Sequence, residues 1–435
     1  MQASLVCAIA LAAGLSFAVA GGEHAGVGET AGAPFGDHAA RDASAWVRSV
    51  GVNVHVSWPG AYPYADTTRV ISAMNYLGLQ NMRDYMNADT VGIYRRLARE
   101  GFRFDLMYNE ADSLPGYVRQ VHDLEVEHPG AVISLEGPNE VNRTIERAVL
   151  IQQELYARAK ADPVLKDKPV YAASLSGVTK AEYAQLRIAD SADAGNVHIY
   201  YGGGQPAYGW SPHVRQWAWD NWLRTGALVA PGKPVVITET GAPSSPQVGV
   251  DELTQAKQIL NSLMDAARSG TPRIYLYELI DSHNDGPQDR ESHFGLFRYD
   301  GSPKPAAEAL RNFTTILTNG GPTAGRPGTL AYGIEGAPAW GGHLLFQEGD
   351  GTRDIVVWAE PDIWDEARHE PIVAPAAPIT IRLAAPARVA IYDPLTGAAP
   401  LRVLETVTRV EVSLTDHPLV VEVLQAGKAR RSGRP

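Results

Sequence analysis

The sequence has one cysteine, Cys7, which lies in an apolar stretch near the start of the chain. A disulfide framework within the chain is therefore excluded, and so is a zinc site built from cysteines. The sequence also contains neither a His-Glu-x-x-His motif nor a phosphate-binding Gly-x-x-x-x-Gly-Lys loop. We accordingly expect no cofactor and no metal.

Basic residues are fewer than acidic ones, 38 against 49, and the net charge is −11. Nucleic acids and anionic membranes bind basic surfaces, so neither is an expected partner. Beyond residues 1–20, no apolar run approaches the roughly 20 residues that span a membrane. We expect a monomer, and the charge mildly disfavours a strongly anionic ligand.

Residues 1–20 have the pattern of a secretory signal peptide, an apolar run followed by the small-x-small site Ala18-Val19-Ala20. They lack the usual basic residues, and the alternative is a buried N-terminal helix. The Gly-rich stretch after Ala20 does not continue a helix, which favours the signal peptide. We predict cleavage after about Ala20, a loose leader over residues 21–45, and a periplasmic or extracellular location.

From about residue 50, short apolar strands alternate with amphipathic helices. One predicted helix, for example, has Thr67 as its N-terminal cap and Gly78 as its C-terminal stop. Eight strands separated by helices or long loops are typical of a (β/α)8 barrel, an α/β fold that we place at residues 46–320. The predicted strands are 51–56, 79–84, 102–107, 131–135, 169–174, 196–200, 234–238 and 273–277.

The helical pattern ends near residue 320. Residues 321–427 contain short alternating strands separated by Gly, Pro and Asp turns, which predict an antiparallel β-sandwich domain. Residues 428–435 form a basic tail.

Two of the predicted barrel strands lead directly to a glutamate. The fourth strand runs through Gly137-Pro138 to Asn139-Glu140, and the seventh runs to Glu239. The carboxyl ends of barrel strands meet at one face, where such enzymes have their active sites. A single glutamate at a strand end is more often a solvated rim residue, but two of them favour a carboxylate pair for cleaving a glycosidic bond.

These motifs resemble those of the clan A retaining glycoside hydrolases, and family 39 or a family 5-like relative is nearest. The resemblance rests on Asn139-Glu140, on Glu239 in Ile-Thr-Glu-Thr-Gly, on His198-x-Tyr200 and on Arg83. It covers about residues 50–425, including the sandwich, which resembles the accessory domain of families 39, 30 and 51.

The resemblance implies a role for each of these residues. Glu140 would be the general acid/base and Glu239 the nucleophile, with carboxyl groups about 5 Å apart. Arg83 and Tyr200 would donate hydrogen bonds that keep Glu239 ionised. Asn139 would bind a sugar 2-hydroxyl.

Further residues would support or bind the substrate. His198 would fix a carboxylate or bind a hydroxyl, although a satisfied core histidine is an equal alternative. Tyr277 would lie under the sugar. Glu278, which follows it, is the alternative to Glu140 and Glu239 as a carboxylate of the site. The remaining candidates are His55, in the predicted first strand, and Trp58 and Trp210, on nearby loops.

The function implied is a secreted retaining β-glycoside hydrolase that forms a covalent glycosyl-enzyme, and we expect its partner to be a carbohydrate polymer. The alternatives are a transglycosylase with the same residues and a catalytically inactive carbohydrate-binding protein. The acidic loop Asp281–Glu291 could hold Ca²⁺, but its spacing matches no EF-hand, which favours a solvated loop.

Overall fold

The computed structural model describes residues 35–58, 60, 62–110, 113–177, 180–208, 218–245 and 247–424. The predicted signal peptide over 1–20, the first part of the leader and the basic tail over 428–435 lie outside these residues. Within them, no helix is both long enough and apolar enough to cross a membrane.

The strands of the described residues fall into two main sheets. They are β1 (Gly36–Ala39), β2 (Arg41–Asp42), β3 (Val50–Asn53), β4 (Asn81–Tyr85), β5 (Arg103–Met107), β6 (Val132–Glu136), β7 (Val170–Tyr171), β8 (Gly195–Tyr200), β9 (Val235–Gly241), β10 (Ile274–Leu276), β11 (Thr329–Glu335), β12 (Gly341–Gln347), β13 (Arg353–Ala359), β14 (Trp364–Asp365), β15 (Glu370–Pro371), β16 (Ala377–Tyr392), β17 (Arg402–Leu414) and β18 (Leu419–Leu424).

The α-helices of the same residues cover the barrel. They are α1 (Ala43–Val47), α2 (Tyr62–Ala65), α3 (Thr67–Leu77), α4 (Val91–Arg99), α5 (Leu114–Glu127), α6 (Ile145–Ala161), α7 (Lys180–Gln185), α8 (Ala218–Gly226), α9 (Glu252–Ser269) and α10 (Pro305–Thr318). Two 3-10 turns lie at Ala189–Ser191 and Glu291–His293.

Strands β3 to β10 form an eight-stranded parallel barrel, which confirms the predicted (β/α)8 fold. Most of the strands are rich in apolar residues because both faces of such a sheet are buried, whereas β4 also contains the buried Arg83 and Asp84. Tyr171 pairs with Ala194, and the Ala172 amide donates to the Ala194 carbonyl at 3.0 Å, so β7 and β8 complete the circle. All eight carboxyl ends therefore meet at one mouth.

Local signals define the helix ends. Helix α3 ends at Gly78, whose φ of 68° is the left-handed conformation that favours glycine. Its N-cap is Asp66, which accepts a hydrogen bond from the Thr68 amide, so Thr67, the predicted cap, is instead the first residue of the helix.

The second sheet is the predicted sandwich, ordered β1-β11-β16-β18-β13-β12-β2, with β17 paired to β16. The long strand β16 pairs with β11 through its first half and with β18 through its second half. Both halves pack their apolar sides around one core that includes Ile355, Ile381 and Val421. All of the neighbouring pairs are antiparallel except β2 with β12.

The predicted leader over 21–45 is wrong for its last part. Strand β1 pairs with β11, and β2 pairs with β12, so residues 36–42 belong to the sandwich. A four-residue strand has little pattern of its own, and its partner lies almost 300 residues away.

The sandwich also packs on the barrel. Trp46 lies 5.8 Å from Phe313 of the barrel and 5.2 Å from Phe346 of the sandwich, measured between ring centroids. On another part of the interface, the loop after β8 contacts the sandwich. The Ala207 amide donates to Glu360 at 2.9 Å, and the Tyr208 hydroxyl donates to Asp362 at 2.9 Å.

Candidate active site

Glu140 lies just beyond the fourth barrel strand, β6, on a tightly packed turn. A side chain at Gly137 would meet the Gln152 side-chain oxygen at 1.9 Å, so only glycine fits. Glu140 itself has a φ of 48°, a strained value for a residue with a side chain, and its amide donates to Ser174 at 3.0 Å. Such strain is often found at functional sites.

Glu239 lies at the end of the seventh barrel strand, β9, and is buried. Its Oε1 accepts a hydrogen bond from Arg83 Nη1 at 2.8 Å, and its Oε2 accepts one from the Tyr200 hydroxyl at 2.7 Å. Both donors proposed from the sequence thus reach this carboxylate.

Arg83 is almost fully buried and uses every N–H donor that it has. It forms a two-bond fork with Glu136, at 2.7 Å each, and donates to Asn53, Asn139 and Glu239 at 2.8 Å each. Burial alone would lower the pKa of Arg83, but Glu136 and Glu239 hold it well above its ordinary value. Glu136 is a functional partner that the sequence interpretation left without a role.

His198 lies between the two strand-end glutamates. Its Nδ1 is 3.0 Å from Glu140 Oε1 and 3.4 Å from Glu239 Oε2. The Nδ1 atom and one oxygen of each carboxylate all lie within 4.8 Å of one another. Burial alone would lower the pKa of His198, but Glu239 and Glu140 raise it overall.

A chain of hydrogen bonds fixes the tautomer of His198. Asn196 donates through Nδ2 to Glu136 at 2.9 Å, so its Oδ1 accepts from the Thr238 hydroxyl at 2.8 Å. The Thr238 hydroxyl donates its only proton in that bond, so its oxygen accepts a hydrogen bond from His198 Nε2–H at 3.2 Å. One proton therefore lies between His198 Nδ1 and Glu140, carried by either group.

Asn139 is exposed at the same mouth. Its Oδ1 accepts hydrogen bonds from Arg83 at 2.8 Å and from Ser174 at 3.1 Å. Both bonds use the oxygen, so the side-chain NH₂ is the group that can meet a ligand.

A second wall of the site is aromatic. The Trp58 ring stacks on His55 with centroids 5.0 Å apart, and 38% of Trp58 is exposed. Tyr277 packs edge-on against Tyr200 at 6.3 Å and against Phe294 at 5.4 Å. The exposed Trp58 and the half-buried Tyr277 can give a sugar flat apolar faces to pack on. Trp210, the other tryptophan proposed for this wall, lies outside the described residues.

Glu278 is fully buried behind His55. Its Oε2 is 2.9 Å from His55 Nε2 and 3.2 Å from the Tyr64 hydroxyl, and its Oε1 accepts from Ser282. Burial alone would lower the pKa of His55, but Glu278 raises it overall. This position argues for support of His55 and against the predicted alternative of a site carboxylate that meets substrate.

The acidic loop Asp281–Glu291 is tied to protein donors. Asp281 accepts from Lys304 and from the Gly295 amide, both at 2.7 Å, and Asp289 accepts from Ser292 at 2.6 Å. Burial raises the pKa of Asp281 to about 7, although Lys304 opposes this. These contacts favour a structural role over the Ca²⁺ alternative.

Solved structures with the same architecture include glycoside hydrolases. The chain is similar to a family 39 glycoside hydrolase from the gut symbiont Bacteroides cellulosilyticus WH2, with 16% identity, a TM-score of 0.61 and coverage of 87% of this chain and 82% of that one. The chain is also similar to the family 39 enzyme from Xanthomonas axonopodis pv. citri, with 15% identity and a TM-score of 0.57. This similarity covers 89% of this chain and 95% of that one. A third similar structure is a glucosidase from Croceicoccus marinus, with 12% identity, a TM-score of 0.54 and coverage of 91% of this chain and 98% of that one.

No family model and no curated protein sequence matches the chain. At these identities the structural likeness shows the fold, a (β/α)8 barrel with a β-sandwich as in family 39. The resemblance inferred from the sequence motifs is confirmed at that level.

Proposed function

We propose that this protein is a secreted retaining β-glycoside hydrolase with Glu239 as nucleophile and Glu140 as general acid/base. The observation that carries the proposal is that one oxygen of each carboxylate lies within 4.8 Å of the other. Retaining enzymes hold their carboxyl groups about 5 Å apart, whereas inverting enzymes need roughly 6.5–9.5 Å to admit a water.

In the first step, Glu140 gives its proton to the glycosidic oxygen while Glu239 attacks the anomeric carbon. The bond to the leaving group breaks, and a glycosyl ester forms on Glu239. In the second step, Glu140 takes a proton from water, the resulting hydroxide attacks the same carbon, and Glu239 leaves as a carboxylate. Each step moves one proton through Glu140, so the enzyme returns to its starting state.

The contacts of the two glutamates suit these separate roles. Glu239 receives charge-assisted hydrogen bonds from Arg83 and Tyr200, which stabilise it as an anion and as a leaving group. Glu140 lies at the open side of the pair, with 22% of its side chain exposed, and shares a proton with His198. A partly exposed acid can meet the leaving group and later the water.

The substrate we propose is a neutral sugar polymer or oligosaccharide. Trp58 and Tyr277 offer aromatic faces, and Asn139 offers an NH₂ donor for a 2-hydroxyl. The solved structures with this fold are named as family 39 enzymes and a glucosidase, which supports glycoside hydrolysis as the chemistry. The signal-like residues 1–20 support a periplasmic or extracellular location.

Proton NMR of the first product tests the proposal. The full chain would be screened against aryl β-glycosides, and the anomer released would be followed before mutarotation. We expect the β-anomer first. Release of the α-anomer would refute the retaining mechanism, product lengthening with an added sugar acceptor would identify the transglycosylase alternative, and sugar binding without turnover would identify a binding protein.

A further inference from the structure

The two glutamates and His198 have the donor set and spacing of a metal site. The distances from His198 Nδ1 to Glu140 Oε1 and to Glu239 Oε2 are 3.0 and 3.4 Å. Ligand atoms around a tetrahedral zinc ion lie about 3.4 Å apart, because each bond is about 2.0–2.2 Å long. The distances from His198 Nδ1 to the two carboxylate oxygens therefore already match those of a tetrahedral site. The two carboxylate oxygens lie within 4.8 Å of each other.

The neighbours of His198 orient its ring as in metal sites. A histidine ligand normally donates its second ring N–H to a fixed acceptor, which holds the lone pair of the other nitrogen toward the metal. Here His198 Nε2–H donates to Thr238, and Thr238 is fixed in turn by Asn196. When the ion binds, the proton shared by His198 Nδ1 and Glu140 is released, and the Nδ1 lone pair then points between the two carboxylates.

We propose that this cluster binds a Zn²⁺ ion, which thereby blocks the enzyme reversibly. Glu140, His198 and Glu239 would supply three ligands, and a water would take the fourth position at the open side beside Glu140. An ion there occupies one oxygen of each carboxylate, so a glycoside and the ion exclude each other. The inhibition rests on the function proposed above, whereas the binding of the ion does not.

The donor set selects the ion. One imidazole nitrogen and two carboxylates suit Zn²⁺, whereas Ca²⁺ and Mg²⁺ prefer sites made of oxygen alone. Arg83 opposes any cation through its charge, but it binds Oε1 of Glu239, while Oε2 faces His198. Oε2 also accepts from Tyr200, which leaves it a second lone pair for the ion.

Isothermal titration of the full chain with zinc chloride, reversed with EDTA, tests the site. We expect one Zn²⁺ per chain, and cobalt(II) in its place should give the intense visible absorption of tetrahedral coordination. His198→Gln and Glu140→Gln should each weaken binding more than about 100-fold, and Thr238→Val by about 10–100-fold, the usual effect of losing an orienting partner.

The matched control is His122→Gln. His122 contacts Asp162 at 2.8 Å on the surface, so this variant removes a histidine–carboxylate contact of similar length from another place. It should bind Zn²⁺ like the wild type. If the His198→Gln protein fails to fold, Glu140→Gln decides the question, because Glu140 is partly exposed.

No binding up to millimolar zinc, or binding that survives both variants, would overturn the inference. Stoichiometric binding in a protein that hydrolyses no glycoside would keep the metal site and refute the proposed function. Glycoside hydrolysis that is insensitive to zinc would keep the proposed function and refute the metal site. With both correct, the inhibition constant measured against an aryl glycoside should equal the dissociation constant from titration.

Discussion

At the scale of single residues, the site depends on one guanidinium. Five hydrogen bonds join Arg83 to oxygen atoms of Glu136, Glu239, Asn53 and Asn139, and they use all five of its N–H groups. A lysine has three donors and no planar fork, so it cannot satisfy these acceptors. The buried Glu136 would then lack a full partner.

Arg83→Lys should therefore lower both stability and activity. We expect a loss of about 3–5 kcal/mol in the free energy of unfolding, the usual cost of breaking a buried ion pair, and a fall in kcat/KM of more than about 100-fold. Urea unfolding and steady-state kinetics measure the two effects. The control is Arg95→Lys, whose fork with Glu127 is exposed and should matter little. Equal effects of the two substitutions would contradict this account.

Tyr200→Phe removes one hydroxyl from Glu239 and leaves the ring in place. A hydrogen bond to a charged group contributes about 1.5–3 kcal/mol, so kcat should fall about 10- to 100-fold. Tyr201→Phe, the same change one residue along and fully buried, is the control for folding. An unchanged kcat in Tyr200→Phe would show that this hydroxyl does not stabilise the charge on Glu239.

At the scale of elements, helix α9 carries a buried acid at the interface with the sandwich. Asp265 is fully buried, and burial raises its pKa to about 7, although Arg268 opposes this. Burial and Asp265 together raise the pKa of Glu360 on the sandwich well above its usual range. The folded protein thus holds a proton on Asp265 that the unfolded chain releases near pH 4.

This difference predicts a stability that falls as pH rises from about 4 to about 7, by up to about 1.4 kcal/mol per pH unit for one group. Asp265→Asn cannot titrate, so its pH profile should be flatter than that of the wild type. Urea unfolding at several pH values measures the slopes. Asp220→Asn removes a charge that makes only the smallest contribution to the raised pKa of Asp265, so it should change the slope much less than Asp265→Asn does. If the stability of Asp265→Asn depends on pH as steeply as that of the wild type, Asp265 is not the group responsible.

The elements that the sequence predicts well are those with strong local signals. Strands β6 and β9 are largely apolar runs that lead to Glu136 and Glu239, and helix α3 has a sequence signal at each of its ends. Strands β1 and β2 are short and exist through pairing with distant strands, so no local pattern identifies them.

The same distinction holds in the site. Glu140 and Glu239 are visible in the sequence because each ends an apolar strand. The roles of Glu136, Asn196 and Thr238 come from contacts across the barrel. A buried Glu in an apolar strand signals only that a partner must exist.

At the scale of the whole molecule, barrel and sandwich share one apolar core. Phe346, Val356 and Trp358 of the sandwich belong to the same buried cluster as Leu310 and Phe313 of the barrel. The loop after β8, which follows His198 and Tyr200, is held by sandwich residues including Glu360. The sandwich thus helps to hold the segment that carries two site residues.

We accordingly predict that the two domains unfold together. Thermal unfolding by calorimetry should show one transition, and urea curves from tryptophan fluorescence and far-UV circular dichroism should coincide. Trp358→Ala, which opens a cavity in the shared core, should lower the single midpoint and keep it single. Two separated transitions would show that the interface is weaker than its packing indicates.

The assignment of the two glutamates is tested most directly by azide rescue of Glu140→Ala and Glu239→Ala. The substrate would be a dinitrophenyl β-glycoside, whose leaving group needs little protonation. In Glu140→Ala the glycosyl-enzyme still forms on Glu239, and azide should attack it to give the β-glycosyl azide. In Glu239→Ala azide should take the place of the missing nucleophile and give the α-azide by a single inversion. The reverse pair of products would contradict the account, because it would exchange the roles of Glu140 and Glu239.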